Sequence, residues 1–143
     1  MTVHLLKLCV GAQSIAQLAQ WQEHHLRVMA QLGQVPEIMH VTRQTPKRAD
    51  ELLHGGSIYW VIKSAIVARQ RLLELRPLDI DGVAHCGLVL NPEIISVASR
   101  PRRPFQGWRY IDATDLPPDI GVWNGADDGA SALQQELMSL GLV

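Results

Sequence analysis

The chain has 143 residues, 47% of them apolar and 19% charged, with a formal net charge of −1. That length suits a single hydrophobic core, and the apolar fraction excludes wholesale disorder. The near-zero total conceals a partition: residues 1–39 sum to zero, residues 40–110 carry eleven Lys and Arg against six acids, and residues 111–143 carry six acids with no Lys or Arg.

Residues 3–10 are mostly β-branched and aliphatic, are interrupted by Lys7 and close on Gly11, which predicts a strand. Ser14, with Gln17 three residues on, forms a capping box for a helix that Gly33 stops. Stepping about 100° per residue, Ile15, Leu18, Ala19, Trp21, Leu26, Val28, Met29 and Leu32 fill one half of its wheel. Polar residues fill the other half, while His25 falls in the apolar one. Residues 38–43 predict a second strand. Thr45-Pro46 then supplies an N-cap followed by Pro at the first helical position, and His54-Gly55-Gly56 ends that helix.

From Ser57 the character is β, with Ile58, Trp60 and Ile62 on one face and Tyr59, Val61 and Lys63 on the other. Residues 66–76 fit a helix or a strand, but Pro77, the turn at 79–82 and the apolar run at 86–90 favour a hairpin. Further strands are expected within 94–97 and 105–111, separated by the Arg- and Pro-rich residues 99–104. Pro117-Pro118 begins an acidic linker, and Leu133, Leu137 and Leu140 at helical spacing predict a short C-terminal helix over 131–140. Strands do not alternate regularly with long helices, which excludes a doubly wound parallel sheet. The expectation is an α+β domain over residues 1–118 with a mostly antiparallel sheet, open or curled into a small barrel, then the linker and helix of residues 119–143.

The common catalytic signatures are absent: no phosphate-cradling P-loop, no GxGxxG after a strand, no GxSxG elbow and no HExxH pair. Two cysteines, Cys9 and Cys86, are too few for a disulfide framework or a CxxC zinc site. His24 and His25 are adjacent, so their rings diverge on a helix; a metal would require His40, His54 and His85 to converge from separate segments, and no metal or cofactor is expected. The N-terminus lacks a basic leader and no 18-residue apolar run exists, so a cytoplasmic protein with no membrane partner is expected.

Ten of the thirteen basic residues are Arg, the side chain suited to bidentate and stacked recognition of phosphate or carboxylate. Arg43, Lys47 and Arg48 cluster where a helix begins, where cations oppose the helix dipole and an anion would relieve the conflict. Arg100, Arg102 and Arg103 precede Phe105-Gln106-Gly107-Trp108-Arg109-Tyr110. Basic residues interleaved with rings form the composition of a nucleic-acid surface: Arg43, Lys47, Arg48, Arg100, Arg102, Arg103 and Arg109 for phosphate, Trp60, Trp108 and Tyr110 for stacking. The competing assignment puts Trp60 and Trp108 in the core.

The motifs HVTR-x-x-PKR, GGS-x-YWVIK with its following ARQR, and FQGWRY resemble those of a short proteobacterial family catalogued as a domain of unknown function. The resemblance runs from residues 6–11 to Pro118 and implies no activity, cofactor or catalytic residue. A helix, a Gly-Gly pair, an aromatic strand and further β structure is also similar in architecture to small PUA-like or ASCH-like barrels, which implies RNA or modified-base binding. The leading expectation is a nucleic-acid, nucleotide or anion-binding module. The alternatives are an enzyme in which Arg43 and Arg109 clamp a small anion beside His40 or His85, and a protein-interaction or homo-oligomeric module.

Overall fold

A computed structural model describes residues 2–124. The elements in chain order are β1 (His4–Leu8), α1 (Ile15–Gln31), β2 (Ile38–Thr42), α2 (Ala49–Leu53), β3 (Ser57–Ile62), β4 (Ala65–Ile80), β5 (Val83–Leu90), β6 (Ile95–Pro101), β7 (Trp108–Ile111), a short 3-10 turn (Ala113–Asp115) and β8 (Asp119–Val122). The α+β expectation holds, with the sheet dominant. The helix expected over 131–140 lies outside the described residues.

The local signals act where the side-chain chemistry places them. Ser14 caps α1 by accepting from the Gln17 N–H at 3.1 Å, while the Gln17 carboxamide reaches back to the Gln13 N–H at 2.6 Å. Gly33 at φ 73° ends the helix in a Schellman arrangement, with Gln34 N–H on the Met29 carbonyl and Gly33 N–H on that of Ala30. Asp81 and Gly82, both at positive φ, turn β4 into β5, and Lys63 and Ser64 do the same between β3 and β4. Lys63 is thus a turn residue rather than a member of the Tyr59 and Val61 face.

The sheet is antiparallel except where β1 runs parallel to β3. Six strands lie in the order β7-β1-β3-β4-β6-β8; the far half of β4 leaves this layer and pairs with β5, which pairs with β2. Two irregularities in β4 make the turn. Register slips at Val67 against both neighbours, and again at Leu73 against β5. The first slip places Val67 and Ala68 on the same side, in one core with Leu72, Trp60, Leu5, Leu88 and Leu90. Ile66, one residue earlier, packs on the opposite face with Leu6, Tyr59, Val61 and Val97. The sheet therefore has an inner face, covered by the β2–β5 ribbon and α1, and an outer face covered by residues around Phe105 and Leu116. The described strands do not close into a barrel; β2, β7 and β8 are edges.

Three local expectations are corrected. The second helix begins at Ala49, not after Thr45-Pro46, because the backbone before it is held elsewhere: the Gln44 carbonyl accepts from Trp108 Nε1 at 3.0 Å and the Arg48 N–H donates to the Tyr110 hydroxyl at 3.1 Å. Residues 119–122, expected within a linker, form β8 on β6, pinned by Arg69 to the Asp119 carboxylate at 2.7 and 2.8 Å. The apolar half of α1 is longer than the sheet it covers: Ile15 and Leu18 are buried, while Trp21 and Leu32 are 47% and 68% exposed. Neither described α-helix is long and apolar enough to cross a membrane.

Gly56 sits where the end of α2, the start of β1 and β4 meet. A Cβ there would lie 2.2 Å from the Leu52 carbonyl oxygen and 2.5 Å from that of Val3, both backbone atoms with little freedom to retreat. Gly56→Ala is expected to destabilise the fold by ~3 kcal/mol, read as a lowered urea midpoint, whereas Gly55→Ala meets no atom and shows only the smaller cost of its positive φ.

Candidate functional site

Alternation along β1 sends Val3, Leu5 and Cys9 to the inner face and Leu6 to the outer one. Lys7 shares the inner parity. Its register partners are Trp60 on β3 and Trp108 on β7, so an ammonium-bearing side chain lies in a row between two indoles. Lys7 is only 9% exposed and has no carboxylate or hydrogen-bond partner among the described residues. Burial lowers its pKa.

Facing this row from β2, the His40 ring meets Trp60 edge-on, 5.4 Å between centroids at 81°. Burial, with the Lys7 charge adding to it, pushes His40 down to about 4. Burial pushes the Cys9 thiol up to about 11, against the pull of Lys7. At neutral pH the imidazole is therefore uncharged and the thiol protonated, which leaves no thiolate nucleophile here. Between α1 and β2 opens a cleft of about 250 Å³, lined by Cys9, Val10, Leu18, Trp21, Gln22, His25, Ile38, Met39, His40, Trp60 and Leu90. Its inner wall is fixed by an amide network. The buried Gln70 carbonyl oxygen accepts from Trp60 Nε1 at 2.9 Å and Gln22 Nε2 at 2.8 Å, and its amide donates to Gln22 Oε1 at 2.8 Å and the Asn91 carbonyl at 3.0 Å. All hydrogen-bonding capacity of Gln70 is thus used, and the Trp60 ring is held in one orientation.

On the outer face, the Arg102 and Arg109 guanidiniums sit over the Phe105 ring, 5.5 and 5.2 Å from its centroid. Two concavities share Pro101 and Arg102: one of about 410 Å³ adds Arg103 and Arg109, the other, of about 350 Å³, adds Arg100, Asp112 and Asp115. Among the described residues, the only hydrogen bond from these four arginine side chains goes from Arg100 to the Asp115 carbonyl. No carboxylate pairs with any of them among the described residues. In contrast, Arg48, Arg69 and Arg76 are each tied to acids: Glu51, Asp119, and Glu37 with Glu74.

The structure divides the sequence-predicted residues into groups. Arg100, Arg102, Arg103 and Arg109 come together around Phe105. Arg43, Lys47 and Arg48 are exposed on the segment that crosses Trp108 and Tyr110. Arg48 pairs with Glu51, and Asp50 and Glu51 occupy the first turn of α2, while Arg43 and Lys47 have no carboxylate partner among the described residues. Trp60 is 2% exposed and bonded to Gln70, the core assignment. Trp108 and Tyr110 are half-buried, ring against ring at 4.9 Å, with their polar atoms engaged. His40 lies on the inner face and Arg109 on the outer, so the expected anion clamp beside an acid–base histidine is not assembled. His54 caps α2 and His85 bonds the Val83 carbonyl on β5; no three His, Cys, Asp or Glu side chains among the described residues group as metal ligands. Lys7, Cys9, Gln22 and Gln70 are the residues added by the structure. Of these only Lys7 carries a sequence signal, a lone cation at the parity of Leu5 and Cys9.

The depressed His40 pKa sets a stability window. Between 6.5 and about 4 the unfolded chain takes up a proton at this ring that the folded chain refuses, so stability falls as pH drops through that range. His40 alone is expected to account for at most about 3 kcal/mol. In His40→Phe, the urea midpoint measured across this range should flatten relative to the parent protein.

No curated protein and no solved structure matches the chain. One family model does, over residues 5–143, which takes in the Lys7 strand, the cleft and the arginine surface alike. By that match the chain belongs to the family described as a protein of unknown function, DUF1489.

Proposed function

We propose that the chain is an anion-binding module whose ligand is the phosphate backbone of a nucleic acid, taken at the outer-face concavities by Arg100, Arg102, Arg103 and Arg109. The observation that carries this reading is convergence: of the arginines without a carboxylate partner among the described residues, Arg100, Arg102, Arg103 and Arg109 line two adjoining concavities beside Phe105. Guanidinium forks matched to phosphate oxygens, with Arg102 and Arg109 already stacked on Phe105, lose less freedom on binding than free side chains would. Aromatic stacking does not enter. Trp60 is buried, and Trp108 and Tyr110 are engaged with the segment above them, so the reading is of phosphate recognition without base stacking.

Fluorescence anisotropy with a labelled single-stranded oligonucleotide across a salt series tests this. Affinity should fall linearly on a log–log plot, and Arg102→Ser with Arg103→Ser should make the slope shallower by about 0.7 for each phosphate that is no longer neutralised. Absence of binding at low ionic strength, or a slope unchanged in the double variant, would sink the reading.

A further inference from the structure

The smaller outer-face concavity, of about 350 Å³, is lined by charges of both signs: Arg100 and Arg102 around the end of β6, Asp112 and Asp115 from the 3-10 turn. Leu6 and Ile66 line it as well and are buried, so its floor is apolar. Neither carboxylate is consumed by the fold. Asp112 stands at the N-cap of the turn, where an aspartate ordinarily accepts from the first N–H groups, yet its side chain makes no such bond. Asp115 has no ion pair among the described residues, and Arg100 reaches its backbone carbonyl, not its carboxylate. The Asp115 N–H closes the turn on the Asp112 carbonyl at 3.0 Å. Residues three apart eclipse in a 3-10 turn, which sets both carboxylates on one side. We propose that this concavity recognises the ribose of a single-stranded RNA, Arg100 and Arg102 taking a phosphate and Asp112 and Asp115 accepting from the adjoining 2′ hydroxyl. The proposal rests on the phosphate reading above and narrows its ligand from nucleic acid to RNA.

A carboxylate beside a bound phosphate weakens binding by like-charge repulsion, so two of them are a liability on a surface that takes phosphate alone. Against deoxyribose nothing offsets that repulsion, because the 2′ carbon carries no donor. Ribose places a hydroxyl next to the phosphate, and a hydrogen bond to a charged acceptor is stronger than one between neutral groups. Guanidiniums and carboxylates side by side therefore match one sugar–phosphate unit, an anion beside a hydroxyl donor. Arg100 spends one of its five N–H donors on the Asp115 carbonyl, which holds the guanidinium beside the turn and leaves the others for phosphate. Size agrees: a dry cavity of ~150 Å³ holds benzene, so about 350 Å³ admits a ribose with its phosphate. The larger concavity shares Arg102 but has no acid among the described residues that line it, so it takes neighbouring phosphates without reading the sugar.

Labelled oligo(U), oligo(dU) and 2′-O-methyl oligo(U) of one length are the probes, read by fluorescence anisotropy on the whole chain at low ionic strength. Oligo(U) should bind about tenfold tighter than oligo(dU), the effect of one hydrogen bond to a charged acceptor. The methylated oligomer keeps a substituted, RNA-like sugar but has no 2′ donor, and should bind like oligo(dU); that arm needs no substitution in the protein. Asp112→Ala with Asp115→Ala should bring oligo(U) and oligo(dU) to equal affinity. Equal binding of the two by the parent protein, a methylated oligomer that matches oligo(U), or a preference that survives the double substitution would overturn the proposal and leave phosphate recognition standing. Failure of all three oligomers to bind would overturn both.

Discussion

A sixteen-residue strand cannot serve two layers unless its alternation is broken, and β4 breaks it twice. Strand twist accumulates along its length, and each extra residue adds a local bend. At Val67 the bulge swaps which parity faces inward; at Leu73 a second one swaps it again, as β4 parts from β3 and takes up β5. Between the two, Ala68, Gln70 and Leu72 all point into the layer enclosed by β5, β2 and α1. The polar member of that run tolerates burial because all four of its hydrogen bonds are made. Gln70 thereby ties β4 to β3 through Trp60, to α1 through Gln22 and to residue 91 through the backbone, so one side chain holds the walls of the cleft in register.

The same sheet keeps two kinds of positive charge apart. On the inner face a single lysine is mostly covered, and burial holds His40 neutral, with the Lys7 charge adding to it, and Cys9 protonated, against the pull of that charge. On the outer face four guanidiniums remain largely hydrated, where pairwise interactions are weak and multiplicity matters. Three further arginines of the body are paired internally. Glu37 and Glu74 fork around Arg76, Glu51 meets Arg48, and Asp119 from the acidic segment closes on Arg69. Arg43, Lys47, Lys63 and Arg71 also lack an ion pair among the described residues; what sets Arg100, Arg102, Arg103 and Arg109 apart is that they line adjoining concavities.

Much of the fold is legible in the sequence because its signals are local. Ser14, Gly33, Gly55, and the Asp81-Gly82 turn act through their own backbone, and β1, β2 and β3 keep a simple alternation that shows in the residues. Residues 66–76 are ambiguous for a physical reason: Ala65, Ala68, Leu72 and Leu75 recur at helical spacing because two bulges shift a period-two pattern. The start of α2 is not legible because Trp108 and Tyr110, more than sixty residues away, claim the backbone groups near Pro46. Of the candidate site, the arginines around Phe105 are readable from clustering in sequence. Trp60 with His40 is not, since their meeting depends on β2 lying over β3.

Composition and local pattern by themselves determined the class of domain, most element positions and the separation of a basic body from an acidic end, because each depends on residues near one another in the chain. Which arginines are left without a partner among the described residues, which indole is core, and whether a lone lysine is buried were decided only by the tertiary structure. Pairing, burial and desolvation are properties of groups brought together from distant segments, and no spacing within one segment encodes them.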